Sequence, residues 1–409
     1  MRLFGSDVSC GVIFYIMSSS LSIIIVSYNV QAFVEQCLRS VARASEGLDV
    51  DVWVVDNAST DDTVERIKAN FPDVHVIANT ENVGFSRANN MAIRQSSGRY
   101  VLLLNPDTVI GEDVLRTCIG FLDTHPKAGA LGVAMHDRDG GFARESRRGL
   151  PTPSTAFYKM SGLCAAFPTS PRFGRYYMGH LDPAQPNQIE VISGAFLMAR
   201  REALEQVGLM DEDYFMYGED IDLSYCLMQA GWENWYLPCR ILHYKGESTQ
   251  KSSYRYVQRF YAAMLIFFNK HFANKYRLTT LLVRLAVGGR AAIGFMWKAI
   301  TRLWRRLNGL SHGHFINYSY VPANLRITFF GSDEGWEALQ ACSHDSWKLS
   351  RSDNPFEQTD SSTEPDCVVF DTDSYSVRNI LEIMASRHDQ GHTAIIGLIY
   401  PSIKELVLP

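Results

Sequence analysis

The feature that most constrains the fold is an alternation of short apolar runs with helical segments near the start of the chain. Runs rich in β-branched and aliphatic residues predict buried strands at residues 21–26, 50–55, 74–78 and 100–104. Helical patterns lie between them at residues 32–44, 61–69 and 84–95. This alternation predicts a mostly parallel α/β sheet with helices on both faces.

The rest of the chain is less regular. Residues 131–187 lose the alternation, and their Gly, Pro, Arg and aromatic content predicts a long, partly mobile loop region. Further on, the pattern predicts an apolar run at residues 190–199, helices at 201–207, 221–230 and 254–272, and a short strand at 235–237. Three further strands, at residues 325–330, 367–370 and 393–399, indicate a small C-terminal α/β appendage.

These elements divide the 409 residues into four segments. They are an N-terminal extension (1–20), the main α/β domain (21–275), a basic helical segment with a linker (276–321), and the small C-terminal domain (322–409). Residues 12–17 are apolar but too short for a signal peptide or a spanning helix. Translation starting at Met17 is an alternative to an N-terminal extension.

Composition excludes several classes of protein. A 46% apolar and 20% charged chain is typical of a globular fold. The net charge of -5 argues against a nucleic-acid partner. The eight cysteines contain no C-x-x-C pair, so they predict buried thiols in a reducing compartment rather than a zinc or redox motif.

The segment at residues 278–306 is apolar but interrupted by basic residues. At about 100° per residue, most of its arginines fall within one sector of a helical wheel. The pattern predicts a basic amphipathic helix lying in a membrane interface rather than spanning the bilayer. The alternative is a helix packed on the main domain with a solvated basic face.

Two acidic residues follow predicted strands, where ligands sit in open α/β sheets. Asp56 ends the second strand and could accept the imide N–H of a uracil or thymine ring, or could cap the next helix. Asp107 ends the fourth strand and could hold Mg²⁺ or Mn²⁺ against a diphosphate. An aspartate in a turn is otherwise an ordinary turn residue.

The strongest local feature is an acidic cluster, Glu219, Asp220 and Asp222, preceded by the aromatic run 214–217. Acids at a helix start are favoured by the helix dipole. Crowded carboxylates raise one another's pKa, as a general base requires. The alternative is a solvated acidic helix start. His243 follows a short strand and is a candidate metal ligand or phosphate contact, or a structural histidine.

Residues 20–270 contain a series of short motifs whose order along the chain resembles that of the inverting family 2 glycosyltransferases, which have a GT-A fold. The motifs are Ile25-Val26-Ser27-Tyr28-Asn29, Val55-Asp56-Asn57-Ala58-Ser59-Thr60-Asp61, Asn82-Val83-Gly84-Phe85, Asn105-Pro106-Asp107, Ser193-Gly194-Ala195 and Glu219-Asp220-Ile221-Asp222. Their variants look most like the rhamnosyltransferase-like branch, which builds bacterial surface polysaccharides. Each motif is weak alone, and their order and spacing make the resemblance specific.

The resemblance implies a role for each candidate residue. Ser27, Asn29 and Asp56 would line the nucleotide pocket. Asn82 and Gly84 would shape its wall near the ribose and diphosphate.

Asp107 matches the last acid of the family's metal motif, where Asn105 replaces the first acid. This replacement strengthens the case for His243 as a further metal ligand. Asp220 matches the catalytic base. Gly194 would let the acceptor approach closely, and Glu219 and Asp222 would support Asp220 or hold the acceptor.

The resemblance therefore implies transfer of a sugar from a nucleotide-diphosphate donor to a saccharide or lipid-linked saccharide acceptor in surface polysaccharide synthesis. Motif variants favour dTDP-rhamnose, with UDP-hexoses as the alternative donors. The expected location is cytoplasmic, peripheral on the inner face of the plasma membrane. The rival functions are a non-catalytic nucleotide-sugar-binding module and a nucleotidyltransferase, although the latter's Gly-rich phosphate loop is missing after the first strand.

Overall fold

The four predicted N-terminal strands form one half of a nine-stranded sheet in a computed structural model, which describes residues 20–244, 254–272, 324–355 and 364–408. The strands are β1 (Leu21–Ser27), β2 (Val50–Asp56), β3 (His75–Ala78) and β4 (Tyr100–Leu104). They run parallel in the order β3-β2-β1-β4. All residues of β1 and β4 are buried, which explains their uninterrupted apolar sequences.

Helices cover both faces of this sheet. The helices are α1 (Gln31–Ala44), α2 (Thr63–Asn70), α3 (Phe85–Gln95), α4 (Val114–Thr124), α5 (Pro153–Met160), α6 (Leu163–Ala166), α7 (Arg201–Val207), α8 (Glu219–Gln229) and α9 (Tyr254–His271). On one face of the sheet, residues of α1 and α4 form an apolar core with Leu21, Ile23 and Ile25 of β1. On the opposite face, residues of α3, α7 and α8 form a second core with Ile24 and Val26. The two-faced α/β architecture is as predicted.

The second half of the sheet is mixed. It contains β5 (Thr108–Ile110), β6 (Ala128–His136), β7 (Asn187–Ile189), β8 (Phe196–Arg200) and β9 (Glu233–His243). Strand β8 is antiparallel to both β4 and β6, while β6 and β9 are parallel. Short strands β5 and β7 pair antiparallel with β9.

Two expectations for this half were wrong. Residues 131–187 are not a continuous loop, because they contain most of β6, both α5 and α6, and the first residue of β7. Strand β9 is much longer than the predicted 235–237. In β9, buried and more exposed residues alternate irregularly and Pro238 interrupts the pattern, so only residues before Pro238 could be predicted as a strand.

The C-terminal residues form a second, five-stranded sheet. Its elements are β10 (Arg326–Phe330), α10 (Asp333–Cys342), β11 (Lys348–Arg351), β12 (Cys367–Asp371), α11 (Val377–Asp389), β13 (Ile395–Tyr400) and β14 (Glu405–Val407). The order is β11-β10-β12-β13-β14, with only β14 antiparallel. The predicted small α/β unit is present, with two additional edge strands.

This C-terminal sheet packs on the main domain through an apolar cluster. Val30, Phe33 and Val109 share that cluster with residues of β12, α11 and β13. The Glu112 carboxylate accepts hydrogen bonds from the backbone N–H of Val377 (2.8 Å) and Arg378 (3.1 Å), at the start of α11. An anion at a helix N-terminus is favourable, so this contact stabilises the docking.

Some predictions fall outside the described residues. They concern most of the N-terminal extension and the whole segment 276–321, including the basic amphipathic helix at 278–306. In the part of the chain that the structure describes, no helix combines the length and apolarity needed to cross a bilayer.

Candidate active site

Most of the candidate site residues lie at one edge of the large sheet. The parallel strands β1, β2 and β4 end there, and β8 begins there because it runs antiparallel to β4. The backbone N–H of Asn105, after β4, donates to the carbonyl of Ala195, before β8, over 3.0 Å. The sheet topology thus brings together motifs that are about ninety residues apart in sequence.

Asp56 is the centre of a buried hydrogen-bond cluster at the end of β2. Ser27 Oγ donates to its Oδ1 (3.0 Å), and Ser59 donates its backbone N–H to Oδ2 (2.8 Å) and its hydroxyl to Oδ1 (2.5 Å). Asn29 joins this cluster by donating its N–H to Ser59 Oγ (2.9 Å). A carboxylate has about four acceptor positions, so Asp56 retains capacity for about one further donor.

The loop containing Asn82 and Gly84 forms the adjoining wall. Asn82 Oδ1 accepts the N–H of Gly84 (3.1 Å), and Asn57 Nδ2 donates to the Gly84 carbonyl (3.3 Å). Gly84 has φ +90°, and a Cβ there would lie 2.8 Å from the carbonyl oxygen of Phe215. Glycine is therefore required, because the aromatic run 214–217 packs directly on this loop.

Asp107 and His243 lie side by side on paired strands. Thr108 of β5 is in register with His243 of β9, and His243 Nε2 is 3.4 Å from Asp107 Oδ1. The Asp107 side chain is 3% exposed, and its Oδ1 has no hydrogen-bond partner among the described residues. An unpartnered carboxylate oxygen beside an imidazole nitrogen fits a divalent cation, for which both are suitable ligands.

Asp220 lies at the start of α8, next to Gly194. The N–H of Gly194 donates to Asp220 Oδ2 (3.2 Å), and a Cβ on Gly194 would lie 3.4 Å from Asp220 Cβ. Arg148 forms a short ion pair with the same Oδ2 and also donates to the Ile192 carbonyl (3.0 Å). Burial opposes the charge of Arg148, but Asp220 and the other nearby groups, with Asp220 foremost, together outweigh it, and the pKa of the guanidinium is raised.

Glu219 has the most perturbed carboxyl of the cluster. It is 8% exposed, and its Oε2 has no hydrogen-bond partner in the described structure. Burial, followed by the negative charge of Asp220, raises the pKa of Glu219 from 4.5 to about 8. The pKa perturbation expected for the acidic cluster is therefore found on Glu219, whose raised pKa favours its protonated form.

Asp222, two residues after Asp220 in α8, has different partners. Its buried carboxylate accepts hydrogen bonds from Lys270 Nζ (2.9 Å) and Tyr214 Oη (3.3 Å), and lies 2.6 Å from His271 Nε2. These partners come from α9 and the aromatic run. The structure does not bring Asp222 to Asp220, and this placement gives no support to the predicted acceptor-binding role of Asp222.

Sequence reasoning missed several residues of this region. Arg148 and Glu190 lie in or beside the segment predicted as a loop, and no spacing signal pairs Arg148 with Asp220. Glu190 accepts the N–H of Leu150 (2.7 Å) and pairs with Arg175. The adjacent Arg147-Arg148 dipeptide is the only sequence hint that this segment carries a buried cation.

Comparisons with known proteins agree with these features. The family model described as "Glycosyl transferase family 2" matches residues 22–208. An N-acetylglucosaminyl-diphospho-decaprenol L-rhamnosyltransferase from Mycobacterium tuberculosis is 31% identical over 264 residues, which is 61% of this chain and 84% of the relative. Rhamnosyltransferase WbbL from Escherichia coli is 26% identical over 196 residues, covering 43% and 70% of the two chains.

Solved structures are more distant. GalNAc-T7, solved with UDP, GalNAc and Mn²⁺, aligns with a TM-score of 0.44 at 15% identity over 61% of this chain and 48% of its own. The mannosyltransferase PcManGT from Pyrobaculum calidifontis aligns with a TM-score of 0.42 at 20% identity over 72% and 84%.

The α/β fold is of the GT-A type, and the chain is a glycosyltransferase. The chain belongs to glycosyltransferase family 2, in agreement with the resemblance seen in its motifs.

Proposed function

We propose that this glycosyltransferase moves a sugar from a nucleoside-diphosphate donor to a saccharide hydroxyl with inversion, using Asp220 as the base. The observation that carries the proposal is the position of Asp220. Its Oδ2 lies against the Gly194 N–H and the Arg148 guanidinium, just before the start of β8. Strand β8 pairs with β4, and Asp107 follows the end of β4. A carboxylate held at a fixed point can accept a proton from a bound hydroxyl.

The proposed step is a single displacement. The acceptor hydroxyl loses its proton to the Asp220 carboxylate while its oxygen forms a bond to the anomeric carbon. The bond between that carbon and the diphosphate breaks, and the nucleoside diphosphate leaves with the electron pair. Because the new bond forms opposite the leaving group, the anomeric configuration inverts.

Arg148 has a positioning role in this scheme. The Arg148 guanidinium donates both to the Asp220 carboxylate and to the Ile192 carbonyl, and so holds the carboxylate in place. The carboxylate must be ionised in order to accept a proton. Gly194 contributes its N–H and the absence of a side chain, which leaves the approach to Asp220 open.

The nucleotide would lie across the ends of β1 and β2. Asp56, held by Ser27 and Ser59, has one acceptor position left for a ring N–H. Asn29 is in the same hydrogen-bond cluster, and Asn82 and Gly84 form the wall beside it. This arrangement suits a uracil or thymine nucleotide, whose rings each carry one imide N–H.

Asp107 and His243 would hold a divalent cation, Mg²⁺ or Mn²⁺. Such a cation, when bound, supplies positive charge that stabilises a leaving diphosphate. Asn105 stands where a second acid would be expected, so of these two motif positions only Asp107 carries a negative charge. The position of His243 Nε2, 3.4 Å from Asp107 Oδ1, supports this proposal.

For the donor we favour dTDP-rhamnose, with UDP-hexoses as the alternative. The motif variants and the two rhamnosyltransferase relatives support this choice. For the acceptor we favour a lipid-linked saccharide used for surface polysaccharide, because the mycobacterial relative is named for a diphospho-decaprenol-linked sugar. The enzyme would then act peripherally on the inner face of the plasma membrane.

The deciding experiment is a donor panel with NMR analysis of the product linkage. Purified protein is given dTDP-rhamnose, UDP-glucose, UDP-galactose or UDP-N-acetylglucosamine with Mn²⁺ and a diphospholipid-linked sugar. We expect one preferred donor and a product of inverted anomeric configuration. A product that retains the configuration contradicts the single displacement.

Titration calorimetry with dTDP and UDP, with and without Mn²⁺, separates binding from catalysis. An enzyme of the proposed kind binds its nucleotide more tightly with the cation and consumes the donor. Nucleotide binding without any donor consumption across the panel would favour the rival function, a non-catalytic binding module.

A further inference from the structure

The described part of the chain concentrates its exposed large apolar side chains in one place. Helices α5 and α6, with Phe167 directly after α6, form a helical hairpin (residues 153–167), the α5–α6 hairpin. Three of the five exposed large apolar residues lie on it. Phe157, Met160 and Phe167 are 61%, 54% and 52% exposed. Single exposed apolar residues are ordinary, but three within eleven residues indicate a surface that meets an apolar partner.

The same region is basic. No acidic residue occurs between Ser146 and Leu181, although the whole chain has a net charge of -5. Lys159 and Arg172 have no acidic partner among the described residues, and each contacts an aromatic ring instead. Lys159 Nζ is 3.5 Å from the Tyr176 ring centroid, and Arg172 Nε donates to Tyr158 Oη (3.2 Å).

The exposed apolar side chains lie on a hairpin that is held in place by a helix cap and by ring packing. Thr152 Oγ1 caps α5 by accepting the N–H of Thr155 (3.3 Å), and Pro153 occupies the first turn of the helix. The rings of Tyr158 and Phe173 pack edge to face at 5.0 Å. The hairpin therefore presents Phe157, Met160 and Phe167 from a fixed base, so inserting them into a partner costs little ordering entropy.

We propose that the α5–α6 hairpin docks on the headgroup region of an anionic lipid bilayer and inserts its exposed apolar side chains. Aromatic and basic residues side by side are what an interface of acyl chains and negative headgroups attracts. A symmetric contact with a second copy of the chain would bring two basic hairpins together, and their like charge opposes it, so we favour the anionic bilayer.

This docking would place the acceptor side of the site at the membrane. The hairpin is joined to the active site at its base, where Arg148 pairs with Asp220 and the N–H of Leu150 bonds to Glu190. The inference deepens the proposed function and rests on it for the acceptor, since a lipid-linked sugar presents its saccharide just outside the headgroups. Binding of the hairpin to lipid itself does not depend on catalysis.

The test is sedimentation of the full chain with vesicles made of equal parts of phosphatidylglycerol and phosphatidylcholine. Phe157→Ser is compared with Ile403→Ser, which removes an exposed apolar side chain (45% exposed) from the C-terminal unit. We expect Phe157→Ser to bind at least about tenfold more weakly, because burying one aromatic side chain contributes about that factor. Ile403→Ser should bind as the unchanged protein does.

A second pair tests the charge. The double variant Lys159→Glu, Arg172→Glu should bind vesicles at least about tenfold more weakly. The control double variant Lys68→Glu, Lys127→Glu, at two exposed positions, should show a much smaller effect. Binding of the unchanged protein should also fall when phosphatidylglycerol is left out. Circular dichroism checks that each variant is folded.

Three results overturn the proposal. They are equal vesicle binding by both members of each pair, loss of binding only when residues 278–306 are altered, and a change of oligomeric state in the Phe157 variant with vesicle binding unchanged. Transfer to a short, water-soluble saccharide acceptor is measured in parallel. Because that reaction needs no bilayer, its absence in the unchanged protein counts against the proposed function and not against the hairpin.

Discussion

At the residue scale, the acids of this site differ more in their partners than in their sequence context. Asp56 is held by two serines, and Asp220 is paired with Arg148. Asp107 Oδ1 lies 3.4 Å from His243 Nε2 and accepts no hydrogen bond from the described residues. All three look alike in sequence, as acids after an apolar run or at a helix start. Their different surroundings support different tasks: nucleotide recognition, metal binding and proton acceptance.

Replacing Asp107 tests the proposed metal site. Asp107→Asn removes the negative charge beside His243, so Mn²⁺-dependent nucleotide binding should weaken by about tenfold or more. Titration calorimetry with and without Mn²⁺ measures this, and Asp73→Asn, at an exposed position, is the matched control. If Asp107→Asn leaves the Mn²⁺ dependence unchanged, the cation is bound elsewhere.

Glu219 predicts a pH dependence of stability. Its pKa is about 8 in the folded chain against an ordinary value of 4.5. Between these values the folded chain keeps a proton that the unfolded chain has lost, so the free energy of unfolding falls as the pH rises through this window. Glu219→Gln cannot ionise. Relative to the unchanged protein it should therefore gain stability as the pH rises, by on the order of a few kcal/mol.

Chemical denaturation near both ends of that pH window measures the difference. Glu65→Gln, at an exposed position, is the control and should show little pH-dependent change. A Glu219→Gln difference that stays constant with pH would contradict the protonated state of Glu219.

At the scale of elements, the predictable parts were strands with mostly apolar sequences. Strands β1 and β4 are buried throughout and match their predicted bounds within one residue, because strands buried on both faces read as continuous apolar runs. Strand β2 also matches within one residue, although only its last three residues are buried. Helix α7 matches its predicted bounds. Helices α5 and α6 were missed because their surfaces are exposed and carry no apolar period, and Pro and Gly around them resemble a loop.

The site was predictable to a similar extent. Residues adjacent to buried strands, such as Asp56 and Asp107, could be placed at the sheet edge from the strand pattern alone. The ion pair between Arg148 and Asp220 could not, because it joins residues 72 positions apart. The turn of Asp222 towards α9 likewise depends on side-chain packing that the sequence pattern does not encode.

Asp222 gives a prediction about helix α9. Its carboxylate binds Lys270 and His271, so Asp222→Asn should loosen α9 and lower the free energy of its local opening by about 1–3 kcal/mol. Hydrogen exchange of residues 254–271 measures this. Asp211→Asn removes a more exposed partner of the same Lys270 and should cost less. Equal protection in the Asp222 variant and the unchanged protein would show that the cluster does not anchor α9.

At the scale of the whole molecule, the C-terminal sheet and the main domain share an apolar cluster and several polar contacts. Arg43 donates to the Thr372 carbonyl (2.7 Å), and Arg39 pairs with Glu405 (3.2 Å). A docked apolar face couples the unfolding of the two units. We expect one cooperative transition in calorimetry, and two well-separated transitions would show that the units unfold independently.

The segment 278–306 adds a prediction about membrane association. If it forms the basic amphipathic helix that its sequence predicts, its deletion should reduce sedimentation with anionic vesicles. The two membrane elements would then act together, since two weak attachments raise the overall affinity. Unchanged sedimentation after the deletion would leave the α5–α6 hairpin as the remaining proposed membrane-binding element.

The most direct test of the central claim is the transfer activity of Asp220→Asn, measured with the preferred donor and a soluble acceptor. The variant keeps the shape of the side chain but cannot accept the proton. It should fold, bind nucleotide with unchanged affinity, and lose transfer by about a hundredfold or more. Transfer at the rate of the unchanged protein would contradict the assignment of Asp220 as the base.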